Sequence, residues 1–146
     1  MLPSIMIAGA LAGGGVGTLL LFLAHIAPLL GAGNYIAGTD ATPLFTSQLT
    51  ARERHLIGIA LHMGVSVVFG ALFGVAVMRG WLHGFTVLSI ATWSVIQWIF
   101  TCLVLMPLEG HGVFGRRHDT WFFFDSLVMS GLWGVLFWAV SRLWIV

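Results

Sequence analysis

The sequence predicts an all-α integral membrane protein: one transmembrane domain over residues 1–146, folded as a four-helix up-and-down bundle. Three observations predict it. Of 146 residues, 59% are hydrophobic and 8% charged, with mean hydropathy +1.02, where a soluble domain carries about 25% charged residues. The apolar residues collect in four stretches, each near the roughly 20 residues needed to cross about 30 Å of hydrocarbon at about 1.5 Å per residue. None of the four alternates apolar and polar positions like a barrel strand, and a helix then satisfies every backbone N–H and C=O in lipid. The same composition excludes a water-facing enzyme and a disordered chain, and six Arg against five Asp and Glu leave no basic patch for nucleic acid.

The first helix is read from Ile5 to Leu30. Met1-Leu2-Pro3-Ser4 puts no basic residue before the apolar run, so this helix is expected to be retained rather than cleaved as a signal peptide. The connection from Gly31 to Leu49 is polar at Asn34 and Gly38-Thr39-Asp40, with an apolar Pro43-Leu44-Phe45 patch suited to the membrane surface. Helix 2 is read from Leu56 to Met78. Thr50-Ala51-Arg52-Glu53 fits a capping box, in which the Thr hydroxyl accepts a first-turn N–H and the Glu carboxylate reaches back, so helix 2 starts about one turn outside the membrane. Arg79 to His83 is long enough only for an antiparallel turn. Helix 3 is read from Gly84 to Met106, ended by Pro107 and followed by the glycine-rich Glu109–Gly115 loop. Helix 4 is read from Trp121 to Ile145, with Asp119 placed to cap it.

Small residues predict which helices meet. Helix 1 carries Gly9, Gly13 and Gly17; helix 2 carries Gly58, His62, Ser66, Gly70 and Gly74. Both ridges recur every fourth residue, so these two antiparallel helices are expected to pack closely. Trp81, Trp121 and Trp144 fall at boundaries where aromatic belts form. Trp93, Trp98, Trp133 and Trp138 lie deeper, where they face lipid, a partner subunit, a quinone or a pigment. Cys102 is the single cysteine, so it forms no internal disulfide and reads as a small core residue.

Ionisable residues single out one membrane face. Of the Arg, Asp, Glu and His residues, only Arg79, His83 and Arg142 fall on the side of the short 2–3 connection; the rest lie on or toward the side with the two longer loops. That side carries four Arg against two, which places both termini outside the cytoplasm by the positive-inside rule. His25, His62 and Asp125 fall roughly 6–9 Å inside its apolar boundary, with Glu109 and His111 above them. Ionisable groups left to lipid cost about 2.5–3.5 kcal/mol even on the mildest scale. A pairing of Asp125 with His62 or His25 inside the bundle is therefore the expectation, with Gln97, on the helix 3 face of Trp93 and Thr101, lining the same interior.

Several chemistries fit such a cluster. A His–Asp hydrogen bond fixes helix register and contributes about 0.6, at most about 1.7 kcal/mol. His25, His62 and Asp125 could also bind a quinone headgroup or relay protons, or the two histidines could hold a haem. His62, Glu109, His111 and Asp125 are a candidate metal set without tight ligand spacing, and a transport pathway is the remaining alternative. The default is no cofactor. Gly110-His111-Gly112-Val113-Phe114-Gly115 matches Gly-x-Gly-x-x-Gly, but it follows a membrane helix rather than a strand and reads as a turn. Neither a nucleophile elbow nor a Walker loop is present.

Gly17-Thr18, Gly58-Ile59-Ala60-Leu61-His62 running into Val68-Phe69-Gly70-Ala71-Leu72-Phe73-Gly74, and Met106-Pro107-Leu108-Glu109-Gly110-His111-Gly112-Val113-Phe114-Gly115 resemble the YagU-like small bacterial four-helix inner-membrane proteins of uncharacterised function. The resemblance covers much of the chain through helix 3 and the following loop; Asp125-Ser126-Leu127-Val128-Met129-Ser130-Gly131 in helix 4 matches no motif of the group. It implies the four-helix topology, a bacterial cytoplasmic-membrane location and an interest in His62. Little extramembrane mass and abundant aromatic residues lead to the expectation of a non-enzymatic accessory or structural subunit. Its expected partners are the lipid bilayer and other membrane subunits, with a respiratory or photosynthetic electron-transfer assembly as the host.

Overall fold

A computed structural model describes residues 2–26, 29, 50–108, 112–116 and 122–144. Four helices dominate them: α1 (Leu2–Ile26), α2 (Ala51–Met78), α3 (Val87–Leu108) and α4 (Phe122–Trp144). Each contains a segment long and apolar enough to cross a membrane, and no strand occurs among the described residues. The protein is an all-helical membrane bundle. The 30–49 connection, Glu109, His111 and the Asp119 cap lie outside the described residues.

Local chemistry sets the helix ends. At the start of α2, Glu53 N–H donates to Thr50 Oγ at 3.3 Å, while Thr50 N–H and Thr50 O–H donate to the Glu53 carboxylate at 2.7 and 2.8 Å. The capping box read from sequence is formed. At the other end Gly80 takes φ +76°, its N–H bonding to Val77 O at 3.0 Å and Trp81 N–H reaching Ala76 O at 3.0 Å. These two bonds form a Schellman closure, which needs a left-handed residue at the position of Gly80.

Helix α3 starts three residues later than Gly84, because Gly84 is also left-handed (φ +68°) and Thr86 caps the helix by accepting Ser89 N–H at 3.3 Å. It also continues past the position where Pro107 was expected to stop it. Residues Thr101–Leu105 form a π-helical turn in which Met106 N–H reaches Thr101 O, and Pro107 then sits inside the final turn, Met106–Leu108. Proline has no N–H to donate and crowds the preceding carbonyls. The wider turn just before it shifts those carbonyls out of register. Of the glycine-rich segment after α3, the described part holds a single 3-10 turn, Val113–Gly115, with Gly112, Phe114 and Gly115 at φ of 75°, 56° and 67°.

Packing follows the two ridges. A Cβ on Gly9 would run into Gly70 O, one on Gly13 into Ser66 O, and one on Gly74 would stand 2.7 Å from Ile5 O and 2.8 Å from Met6 Cα. The backbones of α1 and α2 therefore touch, as small residues permit in lipid. Elsewhere the core is aromatic. Trp133 stacks on Phe137 at 4.7 Å, Phe137 meets Phe73 at 5.2 Å, and Phe73 meets Trp93 at 6.0 Å. Ala12, Val16, Leu20, Phe69 and Ile90 complete this buried cluster. Three of the four deep tryptophans thus pack against the bundle's own side chains, Trp133 buried and Trp93 and Trp98 half-buried. Trp93 Nε1–H donates to Phe69 O at 3.2 Å, Trp98 Nε1–H donates to Ser126 Oγ at 3.1 Å, and Trp133 is buried.

Candidate functional site

Among the described residues, three buried side-chain polar atoms have no hydrogen-bond partner: His62 Nε2, Gln97 Oε1 and Trp133 Nε1. His62 comes from the α2 ridge, Gln97 from α3, and Trp133 from the inner face of α4. Unpaired polar groups in a low-dielectric interior are costly. Of the interior site expected from sequence, His62 and Gln97 are the members whose polar atoms are buried.

Asp125 stands elsewhere. It is exposed in the first turn of α4 and shares an outward face with Val128, Leu132 and Val135, spaced at helical intervals. The inward position at this level belongs to the next residue. Ser126 Oγ accepts from Trp98, donates to Phe123 O at 2.7 Å, and lies 3.9 Å from Cys102 Sγ. Similar depth therefore did not bring Asp125 into the interior, because one residue along a helix turns a side chain by about 100°. Cys102 is fully buried, in keeping with a core role.

His25 is brought to a different histidine from the one expected. Its ring meets that of His55, at the outer end of α2, with centroids 5.6 Å apart and planes at 67°. Seven residues, about 10 Å of helix, separate His55 from His62. His25 Nδ1 lies 2.7 Å from Leu21 O, and since a carbonyl only accepts, this nitrogen carries the proton. The sequence signal for the pair was present in the two four-residue ridges, which align position 25 of α1 with the beginning of α2. Among the described residues no three His, Cys, Asp or Glu side chains are grouped to hold a metal. Glu109 and His111 of the expected metal set lie outside the described residues.

A groove of about 430 Å³ opens between α3 and α4. Ser94, Ser130, Gly131 and Gly134 contribute its small residues, and Val87, Ile90, Val95, Leu127 and Trp138 its bulkier ones. Gly134 is closed off by Ser94, whereas Gly131 has nothing within 4 Å of where a Cβ would stand. At one end the Arg142 guanidinium sits 5.8 Å from the centre of the Trp138 ring, within cation–π range. Comparison of the chain with family profiles, curated proteins and solved structures finds no match.

Proposed function

We propose that the protein is a non-enzymatic accessory subunit that docks within the bilayer against another membrane protein through the groove between α3 and α4. The observation that carries this reading is the groove itself, an apolar recess left open beside Gly131. Between helices in lipid the hydrophobic effect is absent, and association rests on close packing at small residues. A recess of this shape accepts a partner's side chain. Burial supports the same side: 17% of the apolar window of α4 is buried within the bundle, against 28–33% for the other three spans. On this reading the chain is a YagU-like bundle in a bacterial inner membrane, and an electron-transfer assembly is the proposed class of host.

The test is photocrosslinking in the native membrane. A photoreactive residue at Val135, on the groove, should give an adduct with a second membrane protein, while one at Val68, on the exposed face of α2, should label lipid. Adducts with lipid alone at both positions, or purification only as a lone monomer or homo-oligomer, would sink the proposal. A second reading, a haem-, quinone- or metal-binding or proton-coupled protein, draws support from the three unpaired interior atoms. A Soret band lost in His62→Ala would establish the haem branch, extraction of a bound quinone would establish the quinone branch, and a featureless spectrum with no extracted quinone would remove both.

A further inference from the structure

We propose that His25 and His55 form a binding site for a divalent first-row transition metal ion at the membrane face where α1 ends and α2 begins. Two imidazoles bound to one tetrahedral metal through bonds of about 2.0–2.1 Å hold their ring centres roughly 5–5.5 Å apart. The observed separation is 5.6 Å with the planes at 67°, so small side-chain rotations would bring one nitrogen from each ring onto a shared ion.

The tautomer of His25 is already set for this. Its Nδ1–H donates to Leu21 O at 2.7 Å, leaving the Nε2 lone pair of the neutral ring free to bind. Metal-ligating histidines almost always fix their second nitrogen in this way, on a carbonyl or carboxylate. His25 is exposed and His55 half-buried, so an ion reaches them without crossing the bundle. The Glu53 carboxylate, two residues before His55 on α2, is held by Thr50 and is not drawn on; water would fill the remaining positions. Imidazole nitrogen selects zinc, nickel or copper(II) over magnesium or calcium, which prefer oxygen. Such an ion would tie α1 to α2 at this face.

The experiment uses the full chain, without a histidine tag, in detergent or nanodiscs. Zinc alone is titrated by calorimetry, and cobalt(II) by visible absorption to report nitrogen ligation. One ion per chain is expected. His25→Gln and His55→Gln should each weaken binding about tenfold or more, while His83→Gln, at the opposite membrane face, leaves it unchanged. Zinc should raise the unfolding temperature of the wild type but not of His25→Gln or His55→Gln. Circular dichroism of these variants without metal checks that they are folded; if His25→Gln does not fold, His55→Gln carries the same test. Absence of stoichiometric binding, or binding that survives both Gln substitutions, overturns the proposal.

Discussion

Gly70→Ala tests the α1–α2 interface most directly. The added Cβ would collide with Gly9 O and stand 3.0 Å from Gly13 Cα and Gly9 C, all backbone atoms. Backbone cannot rotate aside as a side chain can, so the helices must part by several tenths of an ångström or more along a seam that runs from Ile5 and Gly74 to Gly17 and Ser66. Overpacking of this kind costs about 1–3 kcal/mol, and alanine's helix preference returns at most about 1 kcal/mol. Net destabilisation of about 1–2 kcal/mol follows. Gly64, on the same helix, has nothing within 4 Å of its added Cβ, so Gly64→Ala should be neutral or slightly stabilising. Both are measured by reversible unfolding in mixed dodecylmaltoside–SDS micelles, followed by tryptophan fluorescence. Equal effects for the two variants, or a stabilised Gly70→Ala, would refute the backbone-contact argument.

Phe137→Ala removes a fully buried ring. A cavity of roughly 100 Å³ at about 24 cal/mol per Å³ costs ~2.4 kcal/mol, and little transfer energy adds to this because lipid solvates the unpacked helices; the same micelle titration reads it. Ser126→Ala breaks the bond from Trp98 Nε1–H and should cost about 0.6 kcal/mol, at most about 1.7, with a shift in Trp98 emission as a second readout. The Glu53 carboxyl is held below its ordinary value by the Thr50 backbone N–H first and the Thr50 hydroxyl second. Because its folded value is the lower one, the cap's contribution is complete above the ordinary carboxylate range and is lost as pH falls through the folded value. NMR titration of the Glu53 side chain should give a midpoint below that range, and the protection factors of the first-turn α2 amides, taken relative to the intrinsic exchange rate at each pH, should fall under acid. In Thr50→Ala the midpoint should return toward the ordinary value.

What the sequence made legible was local or periodic. The capping box is written in four consecutive residues, Thr50 to Glu53, and needs no tertiary information. The α1–α2 seam was legible because both partners carry small residues at the same interval, so each ridge fits the other. Orientation about a helix axis was not legible for α4. In water the buried face is the apolar one, but in lipid both faces are apolar and polarity argues for the interior, so hydropathy favours Asp125 as the inward residue, whereas Ser126 faces inward and Asp125 outward. The π turn before Pro107 was likewise hidden. A proline marks a conflict in the hydrogen-bond ladder, but only the structure shows whether the helix ends there or widens beforehand.

The histidine pair lies between these cases, and it follows from the seam. Each step of four along α1 is matched by a step of four back along α2: Ile5 faces Gly74, Gly9 faces Gly70, and Gly13 faces Ser66. Continued two turns beyond Gly17, the ladder brings His25 to the start of α2, where His55 stands. His62 belongs to the same ridge but sits about two turns deeper along α2 than His55, so membrane depth alone pointed to the wrong partner. Glycine contact sets the distance between the two backbones, and that distance lets side chains from opposite helices meet across the seam at its end. The capping box acts on the same end from the other side, fixing where α2 begins and therefore which way the His55 ring projects. Two features with no chemistry of their own, a small-residue ridge and a helix cap, thus place two imidazoles at a metal-binding separation.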